Sequence, residues 1–501
     1  MESKTGSDIT PLGKWMALIA ALLGWLFDGL EMGLFPLTAR SALLDLGVAE
    51  KEIPNWLGII TALFLVGAAT GGVLFGWLGD RLGRVKAMIL SVLTYAIFSG
   101  MCGFASNTWQ IGALRFLAAL GMGGEWSLGV ALINEIWPGR SRAFLAGLIG
   151  SAANVGYLLI GLIGRSVVEN IGGLQETFLN AGMPSTWVDY LINDQNKGWR
   201  LLMASGAIPA LLTLFIRVFV PESKKWEMER HQGATSHWAT QDLLAVLFGA
   251  VNACMIIFLW SREMPWPVRV VGTVVGLVLL TWGFLYPVIQ YLRRNREATG
   301  SSEADGTLPR MILAACLSGV ALLGTWGTIQ QLPAWCGSLP GAPKTASSLV
   351  QIYTALGATI GTIIAALVAD VLGRRWTYTL LCLGSLAIIP TLYLGTVNFD
   401  NRFLFLALLG GGITAAFYGW LPLYLPEIFP TRVRATGQGF GFNFGRVIAA
   451  IGVLQLGNLK SLFAPLGWAD AHVFSSLAVV YLVGMVLIWF APETKGKPLP
   501  D

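Results

Sequence analysis

Five charged side chains lie where they are costly. Asp28, Glu31, Arg115, Glu125 and Arg446 all fall inside apolar runs long enough to cross a bilayer as helix. Such groups face protein or a water-filled path and mark routes for ions and substrates. Asp28 and Glu31 are three residues apart and share one helix face. Arg115 sits near the outer end of its run. Glu125 follows ten residues later, about 15 Å deeper at the helical rise per residue. Depth alone pairs Arg115 with Glu31 and sets Glu125 near the level of Asp28. A carboxyl group that alternates between apolar surroundings and a neighbouring guanidinium gains and loses its affinity for a proton. Asp28, Glu31 and Glu125 are therefore candidates for proton coupling. The competing reading is a fixed salt bridge that locks two helices.

Arg446 has no acid at its own depth in the later part of the chain. A buried guanidinium wants an anion, and its planar fork suits a carboxylate. A carboxylated substrate would supply one, and the competing partners are backbone carbonyls or Asn443, three residues earlier. Arg115 and Asn443 join Arg446 as candidate substrate contacts. Gln330 and Gln331, close to Trp326, and Tyr418, close to Trp420, lie on two other apolar runs. Amides and aromatic rings recognise polyols and organic acids, although these positions also suit contacts between helices or with the membrane interface.

Other chemistry is missing from the sequence. There is no Gly-x-x-x-x-Gly-Lys-Ser/Thr phosphate loop, so ATP-driven work by this chain is not expected. The three histidines do not cluster with cysteines at metal-ligand spacing, and no nucleophile–base pair stands out. An enzyme, a resident metal and a cofactor are all unexpected.

The chain says several things twice, about 290 residues apart. Asp80-Arg81-Leu82-Gly83-Arg84 returns as Asp370-Val371-Leu372-Gly373-Arg374. Glu135-Ile136-Trp137-Pro138-Gly139-Arg140-Ser141-Arg142-Ala143 returns as Glu427-Ile428-Phe429-Pro430-Thr431-Arg432-Val433-Arg434-Ala435. Pro221-Glu222-Ser223-Lys224 returns as Pro492-Glu493-Thr494-Lys495. Gly67 and Gly71 precede the first loop at the spacing with which Gly357 and Gly361 precede the second. Small residues four apart let helices approach closely in lipid. Gly76, Asp80, Arg81, Gly83, Arg84, Glu135 and Arg142, with Asp370, Gly373, Arg374, Glu427 and Arg434, would form an ion network that closes one face in one state and opens in another. The alternative is a set of solvated basic loops. Two membrane-embedded halves in parallel repeat are a known plan for a secondary transporter, with the site at their interface.

The elements that must position these residues are transmembrane helices. Hydrophobic residues make up 55% of the chain and charged ones 12%, against about 25% charged in soluble domains. Mean hydropathy is +0.65. We count fourteen spans: six between residues 15 and 219, two at 241–260 and 270–291, and six between 310 and 491. Short alternating strands are absent, which argues against a β-barrel. The expected division is an N-terminal six-helix half (1–220), a central segment with two additional helices and cytoplasmic linkers (221–309), and a C-terminal six-helix half (310–501). The flank 292–309 reads as flexible, and 165–199 as an external insertion. Many of the 20 Trp, among them Trp77, Trp109, Trp187, Trp199 and Trp335, fall near run ends, as an interfacial aromatic belt would place them.

The net charge of +5 carries no nucleic-acid signal. Roughly two thirds of the 33 Lys and Arg fall in alternate loops, which sets both termini in the cytoplasm. No cleavable signal is evident. Of the five cysteines only Cys336 reads as clearly external, so no disulfide framework is expected.

Gly76-Trp77-Leu78-Gly79-Asp80-Arg81-Leu82-Gly83-Arg84 resembles the loop signature of the major facilitator superfamily, between its second and third helices. The second copy departs from it at Ala366 and Val371. The Glu-x-x-Pro-x-x-x-Arg and Pro-Glu-Ser/Thr-Lys motifs resemble the sugar-porter and organic-acid branches. Gly24-Trp25-Leu26-Phe27-Asp28-Gly29-Leu30-Glu31, Arg115 with Gly121-Met122-Gly123-Gly124-Glu125-Trp126, and the two additional spans resemble sialate–proton symporters. Asn443-Phe444-Gly445-Arg446 looks more like the aromatic-acid and sugar branches.

The resemblance implies an all-α major facilitator fold of two six-helix parallel repeats plus two extra central helices. It also implies that the first and fourth helices line a central cavity. The reading is a proton-coupled symporter of a small organic anion (a sialic, monocarboxylic or aromatic acid) working by alternating access. Its expected partners are the substrate, protons and lipid, and it is expected to be a monomer in a bacterial-type inner membrane. The alternatives are a neutral-sugar porter and a transporter-like membrane sensor.

Overall fold

A computed structural model describes residues 10–49, 52–137, 142–193, 198–231, 238–262, 264–299, 306–343, 346–467 and 470–500. Among the described residues, fourteen helices are long and apolar enough to cross a membrane. They are α1 (Pro11–Asp45), α2 (Asn55–Leu82), α3 (Arg84–Cys102), α4 (Thr108–Ile136), α5 (Ala143–Val167), α6 (Trp199–Phe219), α7 (Thr240–Ser261), α8 (Trp266–Glu297), α9 (Thr307–Ser338), α10 (Ser348–Leu372), α11 (Arg374–Leu394), α12 (Asn401–Ile428), α13 (Thr431–Leu456) and α14 (Asp470–Phe490). There is no strand among the described residues.

Packing repeats as the sequence does. Within the first six helices α2 lies along α4 and α1 along α5; within the last six α10 lies along α12 and α9 along α13. The recurring glycines make the first kind of contact. A Cβ at Gly71 would strike the Leu120 backbone of α4, and one at Gly361 the Gly412 backbone of α12. The halves are joined chiefly by α2 with α13 and α5 with α10, and also by α5 with α12 and α4 with α13. Helices α7 and α8 pack on each other, and α7 runs along α2 and also meets α13.

The loop after α2 turns at Gly83 with φ 108°, and the loop after α10 at Gly373 with φ 95°. Only glycine adopts such angles without strain, so these positions set where α3 and α11 begin. The third echo completes each turn. Glu222 accepts from the Arg84 and Val85 N–H groups at 2.9 and 3.1 Å, and Glu493 from the Arg374 and Arg375 N–H groups at 3.1 and 3.2 Å. Each carboxylate caps a helix start whose backbone donors would otherwise be unpaired.

Three expectations change. The charged flank after α8 is helical as far as Thr299, held by an Arg293–Glu297 pair at 3.0 Å and by Arg294 forked onto Asp242 at 2.6 and 2.8 Å; residues 300–305 lie outside the described ones. Trp77 and Trp199 are buried, not interfacial. The Trp199 indole donates to Asp45 at 3.0 Å, whereas Trp109 and Trp187 are more than half exposed. Cys336 is buried too, and all five cysteines are free thiols.

The insertion folds as two short helices, Ile171–Asn180 and Ser185–Leu191. Arg200 ties it down, donating to Tyr190 at 2.7 Å, to the carbonyls of Gly103 and Ala105 and to Asp45 at 3.0 Å.

Candidate functional site

A cavity lies between the halves. The first half contributes Asp28 and Trp25 from α1, Trp126 from α4, and Asn154 and Tyr157 from α5. The second contributes Thr325, Trp326 and Gln330 from α9, Thr354 from α10, Tyr418 from α12, and Phe442 and Arg446 from α13. A break in one helix shapes this lining. α9 unwinds at Thr328 (φ −124°, ψ −84°), whose carbonyl is taken by the Tyr393 hydroxyl at 2.8 Å. The break turns Ile329 and Gln330 toward the cavity.

One wall is aromatic. Trp126 stacks on Phe442 across the halves at 3.9 Å and 6°, Trp25 tilts onto Trp126 at 5.8 Å, and Tyr418 meets Phe442 edge-on at 6.4 Å. The Arg446 guanidinium lies over the Phe442 ring at 5.2 Å, within cation–π range. Arg446 is buried, and its Nη1 has no hydrogen-bond partner. It interacts electrostatically with Asp28 on the opposite half and with Tyr418. The Gln330 carbonyl accepts from Tyr157 at 3.2 Å.

Behind Asp28 the buried acids fall into two groups. Glu125 reaches Asp28 from α4, and the Asp28 Oδ1 and both Glu125 oxygens lack hydrogen-bond donors. Glu31 lies one turn along α1, ion-paired to Arg115 and accepting from the Ser99 hydroxyl. Arg115 rests against the faces of Phe35 and Phe64, with centroids at 5.5 and 4.4 Å.

Of the substrate contacts expected from sequence, Arg446, Gln330 and Tyr418 line the cavity, while Arg115, Asn443 and Gln331 do not. Arg115 is taken by Glu31. The Asn443 amide donates to the Gly123 carbonyl of α4 at 3.0 Å, where Gly72 leaves room for it. Gln331 donates to the Trp326 carbonyl of its own helix at 3.0 Å. Sequence reasoning missed Asn154, Tyr157, Trp25, Trp126 and Phe442 as lining residues. Their helical spacing is that of packing residues, and only the fold shows that they converge.

At the end of the bundle that carries both termini, the loop residues form one buried network. Arg84 bonds Asp80 at 2.8 Å and Glu135 at 3.2 Å. Arg434 from the other half reaches Glu135 at 3.1 Å, and Glu135 also accepts from Ser223. Asp80 accepts from the Thr436 N–H at 2.8 Å and hydroxyl at 2.5 Å, and Arg84 donates to the Thr431 carbonyl at 3.0 Å. Gly76 allows this approach, because a Cβ there would lie 2.9 Å from the Ala435 carbonyl oxygen.

The second copy is built differently. Arg374 grips Glu427 through two bonds of 2.7 and 3.0 Å, and Glu427 accepts from Thr494 at 2.6 Å. Asp370 is half-exposed and 3.6 Å from Arg374. Arg81 leaves the network and donates to Thr240 of α7 at 2.6 Å. The side chain of Arg142 lies outside the described residues. The capping glutamates differ as well. Burial pushes Glu222 above the usual glutamate range despite its backbone donors. Burial acts more weakly on Glu493, which is less enclosed, and donors from residues 374, 375, 494 and 495 outweigh it and hold Glu493 low.

Two parallel six-helix repeats around a shared central cavity define a membrane transporter and not an enzyme. Residues 16–244 and 342–501 match the sugar (and other) transporter family, and the chain belongs to that family within the major facilitator superfamily. It is 26% identical to a putative metabolite transport protein of Haemophilus influenzae, over 97% of this chain and 98% of that one. It is 27% identical to the cis,cis-muconate transport protein of Acinetobacter baylyi, over 96% and 95%. Its fold is similar to that of the proton:xylose symporter XylE of E. coli, with a TM-score of 0.68 at 18% identity, over 97% of this chain and 98% of that one.

Proposed function

We propose that the protein is a proton-coupled symporter that carries a small organic anion by alternating access. The observation that carries this reading is Arg446: a buried guanidinium at a cavity shared by both halves, with Nη1 unpartnered and Asp28 opposite. A substrate carboxylate and Asp28 compete for the same cation. When the substrate takes Arg446, Asp28 loses its counter-charge and gains affinity for a proton, so anion and proton are bound together. Asp28, Glu125 and Glu31 form the proton-handling set. The aromatic wall suits an acid with an apolar or conjugated body, and the relative named for muconate transport supports a carboxylated cargo.

The network around Arg84, Glu135 and Arg434 is the cytoplasmic gate in its closed state. The Lys and Arg distribution supports placing that end, with both termini, in the cytoplasm of a bacterial-type inner membrane. The transporting unit is the monomer, with residues 1–220 and 310–501 as the moving halves and 221–309 as the central addition.

The test is radiolabelled uptake into proteoliposomes, with and without an imposed pH gradient, over sialic acids, monocarboxylates, aromatic acids and hexoses. The expected result is gradient-dependent accumulation of one class of acids, weakened at least tenfold in Arg446→Lys. Accumulation of hexoses alone would establish the neutral-sugar porter instead.

A further inference from the structure

The cavity offers charge for one carboxylate. Among the described residues that line it, Arg446 is the only cation and Asp28 the only acid. Three buried polar atoms of this lining have no hydrogen-bond partner: Trp25 Nε1, Asp28 Oδ1 and Arg446 Nη1. The Trp25 nitrogen is turned to α4, where a Cβ at Gly129 would lie 3.6 Å from it. Asp28 Oδ1 is an acceptor and repels a carboxylate when ionised. Arg446 is therefore where a carboxylate finds both a charge and an open donor.

The rest of the polar lining is neutral, and much of its donor capacity is spent. Thr325, Thr354 and Thr414 give their hydroxyl hydrogens to carbonyls of their own helices at 2.8, 2.9 and 2.8 Å. Asn154 gives an amide hydrogen to the Gly150 carbonyl at 3.1 Å, and Tyr157 gives its hydroxyl hydrogen to Gln330 at 3.2 Å. The Tyr157 ring packs on α1 beyond Asp28: a Cβ at Gly33, five residues further on, would lie 3.2 Å from it. The Tyr157–Gln330 bond thus forms a neutral end of the cavity, more than one helical turn from Asp28.

Charge balance narrows the cargo. Without cargo, Asp28 and Arg446 leave the lining neutral. Once a cargo carboxylate takes Arg446 and Asp28 takes a proton, the lining is neutral again. A second cargo carboxylate would leave one negative charge out of water, facing aromatic rings and hydroxyls already in use.

We propose that the cargo is a monoanion, with one carboxylate on Arg446 and a far end that is polar but uncharged. The proposal rests on the organic-anion reading above and narrows it to acids of single charge. An amide or carbonyl at the far end can bond Gln330, whose side chain carries both donors and an acceptor. Dianions of the same shape are rejected because the site holds no second cation.

Pairs of probes that share a shape and differ in charge test this: terephthalate and its monoamide, and adipate and its monoamide. Binding to the purified full-length protein is measured by calorimetry near neutral pH, where the carboxylates are ionised. In wild type the monoamide of at least one pair should bind at least tenfold more tightly than its diacid. Gln330→Lys places a cation at the neutral end, and it should bring the affinity for that diacid up at least tenfold. Equal or tighter binding of the diacids by wild type overturns the inference. So does an unchanged preference in a Gln330→Lys protein that keeps the wild-type unfolding temperature. If Gln330→Lys does not fold, the wild-type ratio decides alone. A protein that binds no member of either pair also overturns it, and hexose binding in that case shows that the organic-anion reading has failed as well.

Discussion

The two halves carry the same loop but bury it to different depths, and the difference lies in what faces it. Asp80 is fully buried and receives the N–H and hydroxyl of Thr436 from the opposite half. Asp370, its counterpart, is half-exposed at 3.6 Å from Arg374. The echo that aligns Ala435 with Ala143 aligns Thr436 with Phe144, which has no side-chain group to donate and is itself exposed. The first copy therefore joins the halves, whereas Arg374, Glu427 and Thr494 of the second bond within their own half. A repeated motif keeps its local geometry wherever it occurs, but its energetic role depends on the residue the other half presents.

The largest test of this comparison is the pair Asp80→Asn and Asp370→Asn. Removing one partner of a buried pair costs about 3–5 kcal/mol, against about 0–1 kcal/mol for an exposed one. On the gating proposal, Asp80→Asn releases the closed face, and a cysteine placed in a loop at that end reacts at least tenfold faster with an impermeant thiol reagent. Asp370→Asn should change the rate less than twofold. Equal rates in wild type and both variants would reduce the loops to markers of ancestry.

A second test compares Glu135 with Glu427. Glu135→Gln loosens two guanidinium contacts, one of them from the other half, so it should both speed labelling and lower the unfolding temperature. Glu427→Gln should lower the unfolding temperature and leave labelling unchanged. Faster labelling in both variants would erase the distinction.

The third test concerns coupling. All the buried acids of the proton-handling set are in the first half, and Arg446, whose Nη1 has no hydrogen-bond partner, is in the second. Asp28→Asn should lose gradient-driven accumulation while keeping counterflow exchange, whereas Arg446→Ala should lose both. Retained accumulation in single neutralisations of Asp28, Glu31 and Glu125 would place the coupling ion elsewhere.

The smallest expected effect is in acid. Glu493 is held low, so its cap on α11 stabilises the fold above the usual glutamate range and is lost as pH falls through its depressed value. Glu222 is raised, so its stabilising share is present in acid and is lost as pH rises through its elevated value. Hydrogen exchange at the start of α11 should therefore quicken on acidification, and that at the start of α3 should not. Glu493→Gln should abolish the acid response at α11. Matching acid responses at the two helix starts would show that the two caps are equivalent.

The sequence by itself determined the membrane class, the fourteen spans, the repeat and the small set of charged residues worth attention. These follow from local rules: run length, spacing along a helix, and the cost of charge in an apolar run. Depth counting even placed Arg115 beside Glu31, because rise per residue is fixed once a helix spans the bilayer. Tertiary structure alone decided which side chains converge. Asn443 and Gln331 carry the same groups as cavity residues, yet their amides are spent on backbone carbonyls. Arg446 differs from Arg115 only in what the opposite helix offers it. Trp126 and Phe442 look like packing residues in the sequence, and rotation of their helices about one another sets them at the cavity. Helical period fixes which residues share a face, but the partner of that face is a long-range choice, and the chemistry of this site depends on it.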